Sequence, residues 1–355
     1  MTRLSSCSAF PSRRLCREGS PSTHPPSRTA CLATNAVRWA PTSSGARCAL
    51  IVACASFAAT GPVCAHGFAG KRFFPATLAT DDPFVADELS LPTVAGLPKG
   101  TDDPPARETD LSIDVSKRVS ENLGVGLGAT YKILRPDHGD TQRGFDNLAA
   151  SLKYQFYQSD EHEAILSAGV DWDIGGSGAK RVGAESFSTF TPTLFFGKGF
   201  GDLAAEMKYL RPIAVTGLVG IGIPSRASTT TVSDGGDVDV ERHPHTLEWG
   251  FALQYSLPYL QSAVQDVGLP APFSRMIPVV EFAMSTALDR GASGTTGTIN
   301  PGILWAGQYV QLGAEAIVPL NSRSGHGVGW LVQLHFFIDD MFPRTFGRPI
   351  FEAQR

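Results

Sequence analysis

From Thr109 onward, apolar and polar residues alternate with a period of two. Leu123, Val125, Leu127, Ala129, Tyr131 and Ile133 form one such series, and Leu148, Ala150, Leu152, Tyr154 and Phe156 form the next. Ala164, Leu166, Ala168, Val170, Trp172 and Ile174 follow, with Asp171 and Asp173 on the opposite face. The pattern returns at Leu247–Leu257, Val310–Val318 and Val328–Ile338. Successive side chains on a strand point to opposite sides, so each segment has one apolar and one polar face. The segments run to about 10–12 residues, whereas soluble strands average ~5–6 and membrane-crossing strands need ~9–11. The pattern therefore predicts an all-β protein: an antiparallel transmembrane β-barrel, closed because lipid leaves an open sheet edge unsatisfied.

Eleven segments are expected, at 109–119, 123–133, 147–157, 163–174, 187–198, 203–211, 245–257, 277–286, 297–306, 309–318 and 327–338. Tight turns are read at Ser120–Asn122, Ser159–His162, Gly199–Asp202 and Gly307–Gln308. Longer loops are read at Arg135–Gly144, Gly175–Glu185, Arg211–His245, Thr286–Thr296 and Pro319–His326. Short periplasmic turns alternating with long outer loops are a barrel trait. The alternation calls for a strand before the first segment, and Pro83–Val94 supplies it, with Ala95–Arg107 as its loop. The expected total is about twelve strands, with ten to fourteen compatible, because Ile213–Ile223 also alternates. Pro258–Met276 is long where a short turn is due, and a small periplasmic helix is expected there.

The N-terminal region has a different character. Arg47 precedes the apolar run Cys48–Thr60, which is too short to span a bilayer, and Val63-Cys64-Ala65 follows. Residues 47–65 read as a secretory signal cut after Ala65. Residues 1–46, rich in Ser, Pro and Arg, read as a disordered extension or an early-assigned start. Residues 66–82 would form a periplasmic or plug segment, 83–340 the barrel and 341–355 a C-terminal tail. All six cysteines lie within residues 1–64, which suits export to an oxidising compartment. Residues 1–65 net +6 and the chain nets −4, so residues 66–355 net −10. An acidic body argues against a nucleic-acid partner.

The succession Leu148–Tyr157 (LAASLKYQFY), Ala164–Trp172 (AILSAGVDW), Phe190–Gly201 and Gly329–Phe342 (GWLVQLHFFIDDMF) resembles the outer-membrane barrels grouped under the name "MetA-pathway of phenol degradation". The resemblance covers roughly residues 109–342 and rests on amphipathic strands. It implies passage or binding of small, often hydrophobic or aromatic molecules. One departure is that the last good strand ends near Ile338 and Asp339–Arg355 continues beyond it, whereas barrel-assembly signals usually place an aromatic at the very end.

No nucleophile-elbow, phosphate-loop, dinucleotide or zinc-binding motif is present, so the expectation is a non-enzymatic barrel. Gly124-Val-Gly-Leu-Gly128 reads as close packing within a strand. The polar faces put Lys153, Asp171, Asp173, Glu206, Lys208, Glu248, Glu281, Glu315, Gln333 and His335 towards the lumen, as either a weakly cation-favouring path or a structural, plugged interior. Tyr131, Tyr154, Trp172, Trp249, Trp305 and Trp330 lie on apolar faces and are candidates for aromatic girdles at the two membrane interfaces. Cleavage after Ala65 would expose His66 as an N-terminal copper ligand, with His243 and His245 as a second pair. A secreted copper-binding β-protein and an outer-membrane hydrolase are thus the alternatives. The partners expected are outer-membrane lipid, the barrel-assembly machinery and a small solute.

Overall fold

A computed structural model describes residues 67–99, 105–232, 238–289 and 294–351. The extension 1–46, the signal segment 47–65 and His66 lie outside the described residues.

Twelve strands form one closed antiparallel ring. They are β1 (Glu88–Lys99), β2 (Ala106–Arg118), β3 (Leu123–Pro136), β4 (Leu148–Ser159), β5 (Ala164–Ile174) and β6 (Thr189–Gly199), followed by β7 (Ile213–Pro224), β8 (Thr246–Tyr255), β9 (Met276–Ala287), β10 (Thr295–Ala306), β11 (Val310–Pro319) and β12 (Gly329–Phe337). Each pairs with its neighbours in sequence, and β12 closes on β1 through registers such as Val332↔Val94 and Phe336↔Leu89. Closure leaves no edge to satisfy. Both chain ends of the ring lie at one mouth, with the 119–122, 160–163 and 307–309 turns; we call this the turn mouth. The opposite loop mouth carries a ribbon, Ser228–Val232 paired with Val238–Arg242, and a short strand, Gln142–Phe145, which extends β3.

Polarity is inverted relative to a soluble protein. Leu111, Ile113, Val125, Leu127, Leu152, Phe156, Leu194, Ile221 and Val332 are exposed on the outside. Ser112, Lys132, Ser167, Thr191, Thr216, Gln254, Glu281, Asn300 and Gln311 are buried inside. With water on the outer wall these apolar faces would gain nothing by folding, whereas lipid there makes the arrangement favourable. The ring is a membrane-spanning barrel. Leu127 is 63% exposed, and replacing it with arginine tests this directly. Charge at an exposed site of a soluble protein changes stability by about 0.5 kcal/mol or less, but on a lipid-facing wall it costs ~2 kcal/mol or more. Urea titration in phospholipid vesicles is expected to show the larger loss.

Two expected strands are corrected. The segment 203–211 is not a strand: Ala205–Leu210 forms two 3₁₀ turns broken at Met207 at the turn mouth, and β7 follows at Ile213–Pro224. Ala-Glu-Met-Lys-Tyr-Leu is built of good helix formers, while Ile-Ala-Val-Thr-Gly-Leu-Val alternates and carries β-branched residues. Glu206 and Lys208 therefore do not face the lumen; Lys208 Nζ donates to Gln265 Oε1 at 3.1 Å on an exposed connection. The tight turn expected at Gly199–Asp202 is in consequence the longer connection 200–212, and the loop expected at Arg211–His245 contains β7. The first strand begins at Glu88 and runs to Lys99, because residues through Asp87 are engaged inside the barrel. A bulge between Ser90 and Thr93 shifts its inward set from Ser90 to Thr93, Ala95 and Leu97, which blurs the period. In the Pro258–Met276 connection, Leu257–Tyr259 and Leu260–Val264 form consecutive helical turns.

Candidate functional site: a plugged lumen

The segment between residues 67 and 87 fills the barrel. It starts at the turn mouth with a small hairpin, Phe68–Ala69 against Arg72–Phe73. From there it rises to an apex at Thr77–Thr80, closed by Thr77 Oγ1 donating to the Thr80 carbonyl at 2.6 Å. It then returns to the turn mouth at Asp87 and enters β1. Two wall glycines make room for it: a Cβ on Gly197 would meet Ile165 Cγ2 at 2.7 Å and Pro83 Cγ at 3.2 Å, and one on Gly313 would meet Leu78 Cδ1 at 2.6 Å.

Three anchors hold the plug. The first is Arg72, which is fully buried. Its Nε donates to Glu163 Oε2 at 3.1 Å, its Nη1 to the Pro212 carbonyl at 3.0 Å and its Nη2 to the Arg211 carbonyl. The guanidinium carbon sits 3.7 Å from the centre of the Tyr259 ring. Tyr259 Oη donates to Glu163 Oε1 at 2.8 Å. Burial, together with the Glu163 carboxylate, pushes the Tyr259 phenol up to about 12, so it stays a donor at any ordinary pH. Glu163 adopts a left-handed φ of 46° in the β4–β5 turn, a conformation tolerated where surrounding bonds compensate for it.

The second anchor is Glu281, which is 0% exposed at mid-barrel on β9. Its carboxylate accepts Leu78 N at 2.7 Å, Ala79 N at 2.9 Å, Thr80 N at 2.7 Å and Thr80 Oγ1 at 2.9 Å. Three successive amides converging on one anion form a backbone nest whose occupant is the barrel's own carboxylate. Gln311 Nε2 donates to the Ala76 carbonyl nearby, at 2.6 Å. Across the lumen, Lys153 Nζ reaches Asp81 Oδ2 and the Asp82 carbonyl, each at 2.7 Å, and Ser167 Oγ donates to the Pro83 carbonyl.

The third anchor is Asp87 at the plug's exit. Its carboxylate accepts Lys117 Nζ at 2.8 Å, Arg118 N at 2.7 Å and Arg118 Nε at 3.0 Å. Its carbonyl accepts Ile338 N and Asp339 N. The tail after β12 then folds under the turn mouth, where Ile350 N and Phe351 N donate to the Arg118 and Val119 carbonyls.

Of the residues assigned to the lumen from the sequence, Lys153, Asp171, Asp173, Glu248, Glu281, Glu315, Gln333 and His335 stand on the inward face; Glu206 and Lys208 do not. Asp173 accepts Asn147 Nδ2 at 3.0 Å, Glu248 accepts Ser285 Oγ at 2.9 Å, and Gln333 Nε2 donates to Thr93 Oγ1 at 3.2 Å. Above the apex, towards the loop mouth, lies a cavity of about 300 Å³. Leu97, Ile317 and Leu331 line it together with Thr191, Thr193 and Asn300. A smaller cavity of about 190 Å³ lies beside the plug, against β1–β5 and β12. Tyr131, Trp172, Trp249 and Trp330 lie on the outer wall near the loop mouth, and Tyr154 and Trp305 near the turn mouth. Trp172 stacks on Phe190 at 5.5 Å.

Two side-chain groups carry further chemistry. Ser90 Oγ lies 2.8 Å from His335 Nδ1, and His335 Nε2 lies 3.6 Å from Glu88 Oε2, all lining the smaller cavity. Ser90 and His335 are 245 positions apart, so no sequence spacing could have announced the pair. His243 Nε2 sits 2.8 Å from Thr229 Oγ1 with its ring against Phe187, and burial holds its imidazole below the ordinary range. His245 faces Asp289 at 3.4 Å. Among the described residues, no three His, Cys, Asp or Glu side chains gather around a common metal position.

No protein-family model and no curated protein matches the chain. Among solved structures it is similar to the translocator domain of the autotransporter NalP from Neisseria meningitidis, with 8% sequence identity and a TM-score of 0.37, covering 71% of this chain and 87% of that one. The closed ring of β1–β12 and its inverted polarity define the barrel independently of that likeness.

Proposed function

We propose that the protein is an outer-membrane barrel through which small molecules pass or in which they bind, and that residues 67–87 are its gate. The observation that carries this reading is how the plug is held. Discrete polar anchors at Arg72, Glu281 and Asp87 retain it, with cavities remaining on two sides. Each anchor joins a plug residue to the barrel through a few bonds, so the plug can leave without breaking the strand ladder. The cavity at the loop mouth mixes apolar residues with hydroxyl- and amide-bearing ones, a lining suited to small amphiphilic solutes. The resemblance of the strands to barrels named for phenol degradation supports a cargo of that kind. Short turns and both ends of the ring at one mouth support a periplasmic position for it. Swelling of proteoliposomes in graded sugars and phenols tests the proposal. The intact barrel is expected to admit little, and a form lacking residues 67–82 to admit solutes freely. Equal rates for the two forms would contradict a gate.

A second reading is favoured by the Ser90–His335–Glu88 chain. A serine hydroxyl on an imidazole that faces a carboxylate is the constellation of an activated nucleophile. Burial beside the plug leaves substrate access to plug movement, which subordinates this reading to the first. A fluorophosphonate probe is expected to label Ser90 in the plug-deleted form and not in the His335→Ala version of it. Absence of label in both would end the hydrolase reading.

A further inference from the structure

The outer wall at the loop mouth carries a cluster of arginines that the plug and lumen do not use. Arg107 on β2 and Arg135 on β3 are register partners. Both lie on the outward parity of their strands, in line with the exposed Leu111 and Ile113 on β2 and Val125 and Leu127 on β3. Arg143, on the short strand Gln142–Phe145, is the register partner of Ile133 and shares that face. Arg181 braces the short strand from its other face, beside Gly144, with its Nε donating to the Arg143 carbonyl. Arg107, Arg135 and Arg143 are exposed.

Like charges directly opposite on a sheet repel, so a paired Arg107 and Arg135 call for an anion. Protein does not supply one among the described residues, where none of Arg107, Arg135 and Arg143 enters an ion pair. Glu108 and Asp110, next to Arg107 in sequence, turn inward and are buried; Glu108 pairs there with Lys99 and Lys132. Asp146, three positions after Arg143, pairs with Lys132; Asp137 and Asp140 stand in the β3–β4 connection, and Asp102 and Asp103 before Arg107 lie outside the described residues.

Height on the wall identifies the anion. Two register positions towards mid-membrane from the Ile133↔Arg143 pair, on the same face, Tyr131 and Phe145 meet edge to face at 5.1 Å. Aromatic residues of this kind mark the membrane–water interface. The guanidinium groups therefore begin where the acyl chains end, which is the level of lipid phosphates. Guanidinium binds phosphate through two parallel charge-assisted bonds.

We propose that Arg107, Arg135 and Arg143 form a binding site for the phosphates of a lipid in the leaflet at the loop mouth, which in an outer membrane is a phosphorylated glycolipid. The site rests on the bilayer-spanning reading and is independent of the gate.

The full chain in detergent is titrated with a bisphosphorylated lipid A, with the same glycolipid after dephosphorylation, and with inorganic phosphate as competitor. The unaltered barrel is expected to bind the phosphorylated glycolipid at least about tenfold more tightly than the dephosphorylated one, and the R107Q/R135Q/R143Q triple variant to lose that preference. R323Q, which removes an exposed arginine of the β11–β12 connection, is expected to keep it. Equal affinity for both glycolipids, or an unchanged preference in the triple variant, would overturn the site. Full displacement by millimolar inorganic phosphate would also overturn it, as it would show a general anion patch. Heat-modifiable gel migration is recorded for every form. Its retention in the triple variant ties a lost preference to the arginines rather than to unfolding, and its absence from the parent barrel would fail the membrane reading itself.

Discussion

Replacing Arg72 with alanine is expected to open the barrel while leaving the wall folded. The guanidinium is fully buried, and its partner Glu163 is 6% exposed, so solvent screens the pair very little. Removing one member of such a pair strands the other in a poorly hydrated site, at a cost of about 3–5 kcal/mol. Two carbonyls, of Arg211 and Pro212, lose their donor as well. Because Arg72 lies in the plug and Glu163 in the barrel, the loss falls on plug docking rather than on the strand ladder. A shift of that size changes the docked-to-released ratio by about a hundred- to several thousandfold. Planar-bilayer recording is expected to show frequent or sustained conductance in Arg72→Ala and a closed baseline in the parent, with heat-modifiable migration retained in both. Arg72→Lys is expected to fall between them, since ammonium restores the charge but not the fork that reaches three acceptors. A closed Arg72→Ala channel would show that the turn-mouth anchor does not govern the gate.

The second large effect is expected at Glu281. Alanine there leaves three backbone amides and the Thr80 hydroxyl without an acceptor, at about 1–3 kcal/mol for each donor that water does not reach. Four bonds are lost at once, so release of the apex is expected. Residues after Cys64 include no cysteine, so a chain starting at His66 gives a clean readout through Ala79→Cys at the apex. Maleimide labelling at that site is expected to be slow in the parent and at least about tenfold faster with Glu281→Ala. Glu281→Gln is expected to lie between the two, since one amide oxygen still accepts while its NH₂ opposes the remaining donors. Unchanged labelling in Glu281→Ala would remove the apex from the gate.

The two variants separate the anchors. Arg72→Ala frees the plug at the turn mouth, whereas Glu281→Ala frees its apex. A plug that must leave as a unit will respond to both with conductance. An apex that swings aside while Arg72 remains docked will respond in labelling alone when Glu281 is replaced.

The barrel was legible in the chain because its cause is local. Strand parity sorts side chains between lipid and lumen at every second position, so Leu123–Ile133, Leu148–Phe156 and Val328–Ile338 declare their faces without reference to any partner. Misreading occurred where that local rule weakened. Leu203–Arg211 has the length of a strand but the composition of a helix, and its place in the ring belongs to Ile213–Pro224. At β1, the bulge near Ser90 interrupts the parity. The inward position of Glu281 was also legible, but its role was not. Nothing in the order of residues connects Glu281 with Leu78–Thr80, Arg72 with Glu163 and Tyr259, or Ser90 with His335. These contacts join residues 91 to 245 positions apart, and closure of the ring creates them. By itself, the sequence determined an amphipathic barrel of about twelve strands, since alternation acts residue by residue. Whether the interior is open or filled, which segment fills it and which side chains hold that segment were decided only by the tertiary structure, because each depends on which side chains a closed lumen brings together.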